Sequence, residues 1–149
     1  MRKLNLPVYD FTCRDEGGSR LVLDVYRKRF VKLTPEEEVR QRFARYLVEE
    51  KGFPASLVMT EFSLKLNKMS RRCDILVHKP AGHPAVLVEC KAPEVAVSQA
   101  TFDQVARYNL AFRVSYLMVT NGLKHYCCKI DFESGKIAFL QHIPDYGEI

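Results

Sequence analysis

Apolar positions in this chain follow two periods, and the changes between them mark its elements. Residues 4–13 and 21–31 read as strand material, split by a polar turn at 14–19 that holds Gly17 and Gly18. Thr34-Pro35-Glu36-Glu37 then opens a helix. Thr34 supplies an N-cap, Pro35 suits the first helical position, and Glu37 completes a capping box. Val39, Phe43, Tyr46 and Leu47 recur at spacings of three and four and give that helix an apolar face, which Gly52 and Pro54 bring to an end. Strand patterns return over 57–66, 72–77 and 85–90, the first two joined by a turn at 67–70. A second helical stretch, 98–112, gathers Phe102, Val105, Ala106, Asn109 and Leu110 on one side. Strands at 114–120 and 123–130 meet at Asn121-Gly122, and a last short strand follows a turn at 132–136. The order is β-β-α-β-β-β-α-β-β-β. It predicts an α/β fold with a central mixed sheet flanked by two main helices. The helix at 98–112 is a crossover onto the strand at 114–120, and such crossovers are right-handed.

Composition narrows the class. At 149 residues, 47% apolar and 28% charged, the chain is an ordinary globular domain with room for one core. A net charge of +5 is compatible with a polyanionic partner without requiring one. No apolar run approaches the roughly 20 residues that span a bilayer, and the N-terminus has no apolar signal segment, so the expectation is a cytoplasmic protein. Five cysteines form no Cys-x-x-Cys, which fits buried thiols in a reducing compartment. The adjacent Cys127 and Cys128 cannot turn both sulfurs to one side of a strand, so they read as structural.

The densest chemistry lies between Asp74 and Lys91. Ile75-Leu76-Val77 and Val86-Leu87-Val88 are β-formers, with turn residues 79–84 between them. Two adjacent strands therefore carry Asp74, Glu89 and Lys91. Charges beside core strands are costly unless paired or bound to a metal. Two acids and a lysine at a strand end suit a divalent cation beside a phosphate. The plainer reading of the same residues is a strand-end Asp and a same-face Glu89–Lys91 ion pair.

Asp74…Glu89-Cys90-Lys91 resembles the PD-(D/E)xK nuclease signature, with Cys73 where the motif's name has proline. The wider chain resembles the N-terminal nuclease domain of type I restriction enzyme R subunits. The matching stretches are Thr34-Pro-Glu-Glu-Glu-Val-Arg-Gln41, Arg71-Arg-Cys-Asp74, Leu87-Val-Glu-Cys-Lys-Ala-Pro93, Phe102-Asp-Gln-Val-Ala-Arg-Tyr-Asn109 and Val119-Thr-Asn-Gly122, in the family's order. The resemblance divides the chain into N-terminal strands (1–30), expected as a hairpin on the sheet edge or as a dimer arm, a family-like core (31–130) and a C-terminal strand and tail (131–149). R subunits continue into a helicase motor, whereas this sequence stops at Ile149. The expectation is a standalone nuclease-like domain of restriction-endonuclease-like fold.

The resemblance also implies roles. Asp74 and Glu89 would hold Mg²⁺ (or Mn²⁺) with the backbone carbonyl of Cys90, whose thiol would point into the core. Lys91 would orient the attacking water and offset charge on the scissile phosphate. A third carboxylate would come from the first helix, where Glu36, Glu37 and Glu38 are candidates. Glu36 projects nearest the apolar stripe, and Glu37 has its capping role. Gln104 and Tyr108, one turn apart on one face, would support the site or the DNA, or else be polar surface and a packed aromatic. Arg40, Arg42 and Arg45 read as a solvated face, and Arg71-Arg72 as a phosphate contact or a solvated turn. The implied function is a metal-dependent DNA endonuclease of a restriction system. The alternatives are a nuclease-fold DNA-binding or assembly subunit with little activity alone, and a domain whose acids are vestigial. Implied partners are DNA, a second copy in a homodimer, and helicase or specificity subunits, with no membrane.

Overall fold

The computed structural model describes residues 3–66 and 69–149, apart from the side chains of 62–71 and 108–111. Strands β1 (Cys13–Glu16), β2 (Ser19–Asp24) and β3 (Arg29–Lys32) form a small antiparallel sheet. Helix α1 (Pro35–Glu49) follows, then β4 (Val58–Leu66), β5 (Met69–His78) and β6 (Pro84–Cys90). Helix α2 (Gln99–Phe112) leads to β7 (Tyr116–Thr120), β8 (His125–Ile130) and β9 (Ile137–Leu140). The main sheet has the order β4-β5-β6-β7-β8-β9. Its β6–β7 pair is parallel and its other neighbours are antiparallel. The parallel pair is the one that α2 bridges, because two parallel strands need a long crossover.

Each face of the main sheet has its own core. Val39, Phe43 and Leu47 of α1 pack on Ile75, Val77, Val86, Val88 and Met118. Phe102 and Val105 of α2 pack on Leu76, Leu87, Leu117 and Val119. Consecutive strand residues thus go to opposite helices, as the two-residue period requires. Cys127 joins the α1 core and Cys128 the α2 core, so the paired cysteines are split by the sheet as expected. No helix among the described residues is long and apolar enough to cross a membrane.

The N-terminal part departs from the sequence reading in four ways. Residues 4–12 form no strand. Asn5 N–H instead donates to Gly122 O (2.8 Å), and the segment is laid against α1. The predicted turn at 14–19 shrinks to Gly17-Gly18, both with positive φ (58° and 79°), so Arg14–Glu16 pair with Ser19–Leu21 as strand. The stretch 21–31 is cut in two because the Asp24 carboxylate accepts from Tyr26 N–H (2.8 Å) and Arg27 N–H (3.1 Å), an Asx turn that the hydrophobic pattern does not show. These strands make a separate sheet rather than a hairpin on the main one.

Helix α1 begins as predicted, with Glu37 N–H donating to Thr34 Oγ1 (3.0 Å). The capping box is only half formed, because the Glu37 carboxylate pairs with Arg27 and Arg40 instead. Arg40 and Arg42 are buried, which corrects the solvated-face reading. Arg42 Nη2 donates to Leu6 O and Pro7 O (both 3.1 Å), because the N-terminal segment crosses that side of the helix. The turn predicted at 67–70 falls partly on residues 67–68, outside the described residues, while Met69 and Ser70 already belong to β5.

Candidate active site

The β5–β6 ladder runs through Val77↔Val86, Leu76↔Leu87 and Ile75↔Val88, and it ends there. The next position in that register would set Asp74 opposite Glu89. The β4–β5 ladder also skips this level: Thr60 pairs with Ile75 and Phe62 with Cys73, but Glu61 and Asp74 are not partnered. Glu61 has φ 52°, a left-handed conformation that is costly for a residue with a side chain. Where the ladder opens, Cys90 N–H needs another acceptor, and Asp74 Oδ2 supplies it at 2.7 Å.

Glu36 from the first turn of α1, Glu61 from β4, Asp74 from β5 and Glu89 from β6 line one open pocket of about 240 Å³, together with Arg40, Arg72 and Cys73. Arg40 stands among the acids with its side chain only 6% exposed. Its Nε and Nη2 donate to Asp74 Oδ1 at 3.1 and 2.7 Å. Nη2 also lies 2.8 Å from Glu61 Oε1 and 3.4 Å from Glu36 Oε1. Nη1 forms an ion pair with Glu37 Oε2 at 2.8 Å without hydrogen-bond alignment. Arg72, more exposed, pairs with Glu61. Glu89 near the end of β6 and Lys91, one residue past that end, bring their charges together at 3.1 Å.

Acids outnumber bases here, and the protonation equilibria reflect it. Burial, and then the Asp74 charge, push Glu89 up to about 7 against the pull of Lys91. The same two causes in the same order raise Glu36. Burial works against the charge on Arg40, but Asp74 and then Glu37 overcome it and hold the guanidinium above its usual range. Lys91 is likewise raised: burial opposes its charge, and the bond to Glu89 prevails.

This donor set suits a hard divalent cation. Glu36, Asp74 and Glu89 offer carboxylate oxygens to one pocket, where burial and then the Asp74 charge raise Glu36 and Glu89. Among the described residues, no three His, Cys, Asp or Glu side chains already stand in a ligand arrangement. Arg40 occupies the middle of the acids and would have to yield at Asp74 Oδ1. Cys90 is fully buried in the α1 core, with its thiol pushed well up by burial, so it is no thiolate ligand.

Of the residues singled out from the sequence, the structure brings Glu36, Asp74, Glu89, Cys90 and Lys91 together. Gln104 is exposed on α2 and does not line the pocket. The side chain of Tyr108 lies outside the described residues, as does that of Arg71. Sequence reasoning missed Arg40 and Glu61. Both had a signal: Arg40 sits four residues after Glu36 and three after Glu37, and a hairpin centred on 67–68 sets Glu61 across from Asp74.

A six-stranded mixed sheet between two helices, with two acids and a lysine where its ladder opens, defines a protein of restriction-endonuclease-like fold. The family described as type I restriction enzyme R protein N terminus matches residues 35–144, and the chain belongs to it. Its fold is also similar to a solved fragment assigned as an HsdR subunit of a type I restriction enzyme from Vibrio vulnificus, at 20% identity and a TM-score of 0.54. That likeness covers 75% of this chain and 24% of the other, so this chain spans about a quarter of the fragment's length. A comparison with curated proteins finds no match.

Proposed function

We propose that this chain is a metal-dependent DNA endonuclease domain of a restriction system, hydrolysing phosphodiester bonds. The observation that carries the reading is the convergence of Glu36, Asp74 and Glu89 on one pocket at the opened β5–β6 ladder, with Lys91 beside Glu89. Asp74, Glu89, Glu36 and the carbonyl of Cys90 are the groups to hold Mg²⁺ or Mn²⁺. When bound, the ion would polarise a phosphoryl oxygen and lower the pKa of a bound water. Lys91, held by Glu89, would orient that water and offset the phosphate charge. Gln104 and Tyr108 on α2 would steady substrate that extends beyond the pocket, since Gln104 does not line it. Family membership supports action on DNA alongside the helicase and specificity subunits of a restriction complex.

The test is calorimetric titration of Mn²⁺ into wild type and Asp74→Asn, with supercoiled plasmid as substrate. Saturable binding that Asp74→Asn loses, with nicking that needs the metal, is the expected result. Lys91→Ala should stop nicking while keeping metal affinity. Unchanged metal-dependent nicking by Asp74→Asn would overturn the assignment.

A further inference from the structure

The three-stranded sheet precedes residue 35, where the family match begins. Residues 1–32 hold eight of the 23 Lys and Arg and four of the 18 Asp and Glu, so they carry +4 of the net +5. Within the sheet, arginines already neutralise three of those acids. Arg20 pairs with Asp15 (3.1 Å), Arg14 with Glu16 (2.9 Å), and Arg27 with Asp24. That leaves Lys28, Arg29 and Lys32, all exposed and without an acidic partner among the described residues. They lie on the β2–β3 turn and along β3, an edge strand of the small sheet.

The turn end of this basic edge is fixed beside the acid pocket, and Arg29 and Lys32 continue from it along β3. The Asp24 carboxylate is fully buried, accepts from Thr60 Oγ1 of β4 (3.1 Å) and holds Arg27, which also pairs with Glu37 next to Glu36. Lys28 lines a groove of about 530 Å³ with Val25, Tyr26, Val58 and Met59. Glu61, two residues beyond Met59 on the same strand, lines the acid pocket. Two strand residues span roughly 7 Å, the axial rise of about two nucleotides. The groove and the pocket are thus lined from neighbouring positions of β4. The pocket itself, with Glu36, Glu61, Asp74 and Glu89 against Arg40 and Arg72, repels a polyanion, so attraction must come from outside it.

We propose that Lys28, Arg29 and Lys32 form a grip for the DNA backbone, binding phosphates adjacent to the one presented to the acid pocket. This rests on the nuclease reading of that pocket. The grip carries no sequence information, since phosphate contacts position the duplex without reading it.

The test measures binding of a labelled DNA duplex by fluorescence anisotropy over a salt series without Mg²⁺ or Mn²⁺. It uses the full chain, the triple variant Lys28→Ser/Arg29→Ser/Lys32→Ser, and a charge-matched control, Lys124→Ser/Lys129→Ser/Lys136→Ser, on the β7–β9 side. The salt slope should fall by about 2 to 3 in the first variant, at about 0.9 for each phosphate no longer neutralised, and the affinity by at least about tenfold. The control should keep most of both, and both variants should melt near wild type. A wild type that does not bind, an unchanged slope in the first variant, or an equal loss in the control would overturn the grip. Plasmid nicking by wild type separates the two readings. Nicking with an unaltered slope sinks the grip alone, and slope loss without any nicking sinks the nuclease alone.

Discussion

Replacing Arg40 with Gln removes a cation that touches Glu36, Glu37, Glu61 and Asp74 together. The side chains of Glu37 and Asp74 are 7% and 12% exposed, so neither charge can be handed to solvent. Breaking a buried ion pair from one side costs about 3–5 kcal/mol. Asp74 would keep the Cys90 N–H and Glu37 would keep Arg27, which places the cost near the low end, at about 3 kcal/mol. For a domain of this size each kcal/mol moves Tm by about 2–4 °C, so the metal-free variant should melt about 6–12 °C below wild type. A divalent ion should reverse much of this. It supplies the missing charge, no longer competes with a guanidinium for Asp74 Oδ1, and at a hundredfold excess over its Kd contributes about 2.7 kcal/mol. Differential scanning calorimetry with chelator and with Mn²⁺, plus a metal titration, gives all the terms, and Arg40→Gln should bind Mn²⁺ more tightly than wild type. A variant that melts with wild type in chelator, or gains no more from Mn²⁺ than wild type does, refutes the reasoning.

Two further outcomes follow from named residues. Glu89 has a folded pKa near 7, above the ordinary 4.5, so its contribution is full below about pH 4.5 and is lost as pH rises through 7, a fall of about 3 kcal/mol in the metal-free protein. Denaturation of Glu89→Gln at about pH 5 and pH 8 should show that fall removed, whereas a variant weaker than wild type at the higher pH would mean the Lys91 ion pair dominates. Gly122 has φ +85°, and an added Cβ would meet Leu4 Cδ2 and Val39 Cγ2 at 3.0 Å. Gly122→Ala should therefore cost about 1–3 kcal/mol in thermal melting, and a neutral result would mean that the N-terminal segment is not packed there.

The parts of the site that could be read from sequence are those set by short-range rules. Thr34 caps the Glu37 N–H and Pro35 fixes φ at the first turn, so purely local rules mark the start of α1 and fix where Glu36 stands. A short turn between two apolar runs makes β5 and β6 neighbours, which brings Asp74 and Glu89 to one level. What escaped depended on chain segments far apart in sequence. Arg40 and Arg42 look solvent-facing in a helical projection, and only the passage of residues 4–9 over α1 and the gathering of acids from three strands bury them. The break at Asp24 escaped because a carboxylate folding back on its own backbone leaves no mark on the hydrophobic pattern. The separate N-terminal sheet escaped for a similar reason: strand periodicity tells which residues extend, not which sheet receives them.

The acid pocket sits in a molecule that is positive overall, and that contrast sets an order of assembly. A polyanion drawn to the basic edge meets like charge at Glu36, Glu61, Asp74 and Glu89 until a cation is present. For the proposed substrate, each ligand should then favour the other. Divalent metal raises affinity for DNA, and by thermodynamic reciprocity DNA raises affinity for metal by the same factor. Such a site is inert while either ligand is scarce and engages over a narrow range of concentration, without any moving part beyond one arginine.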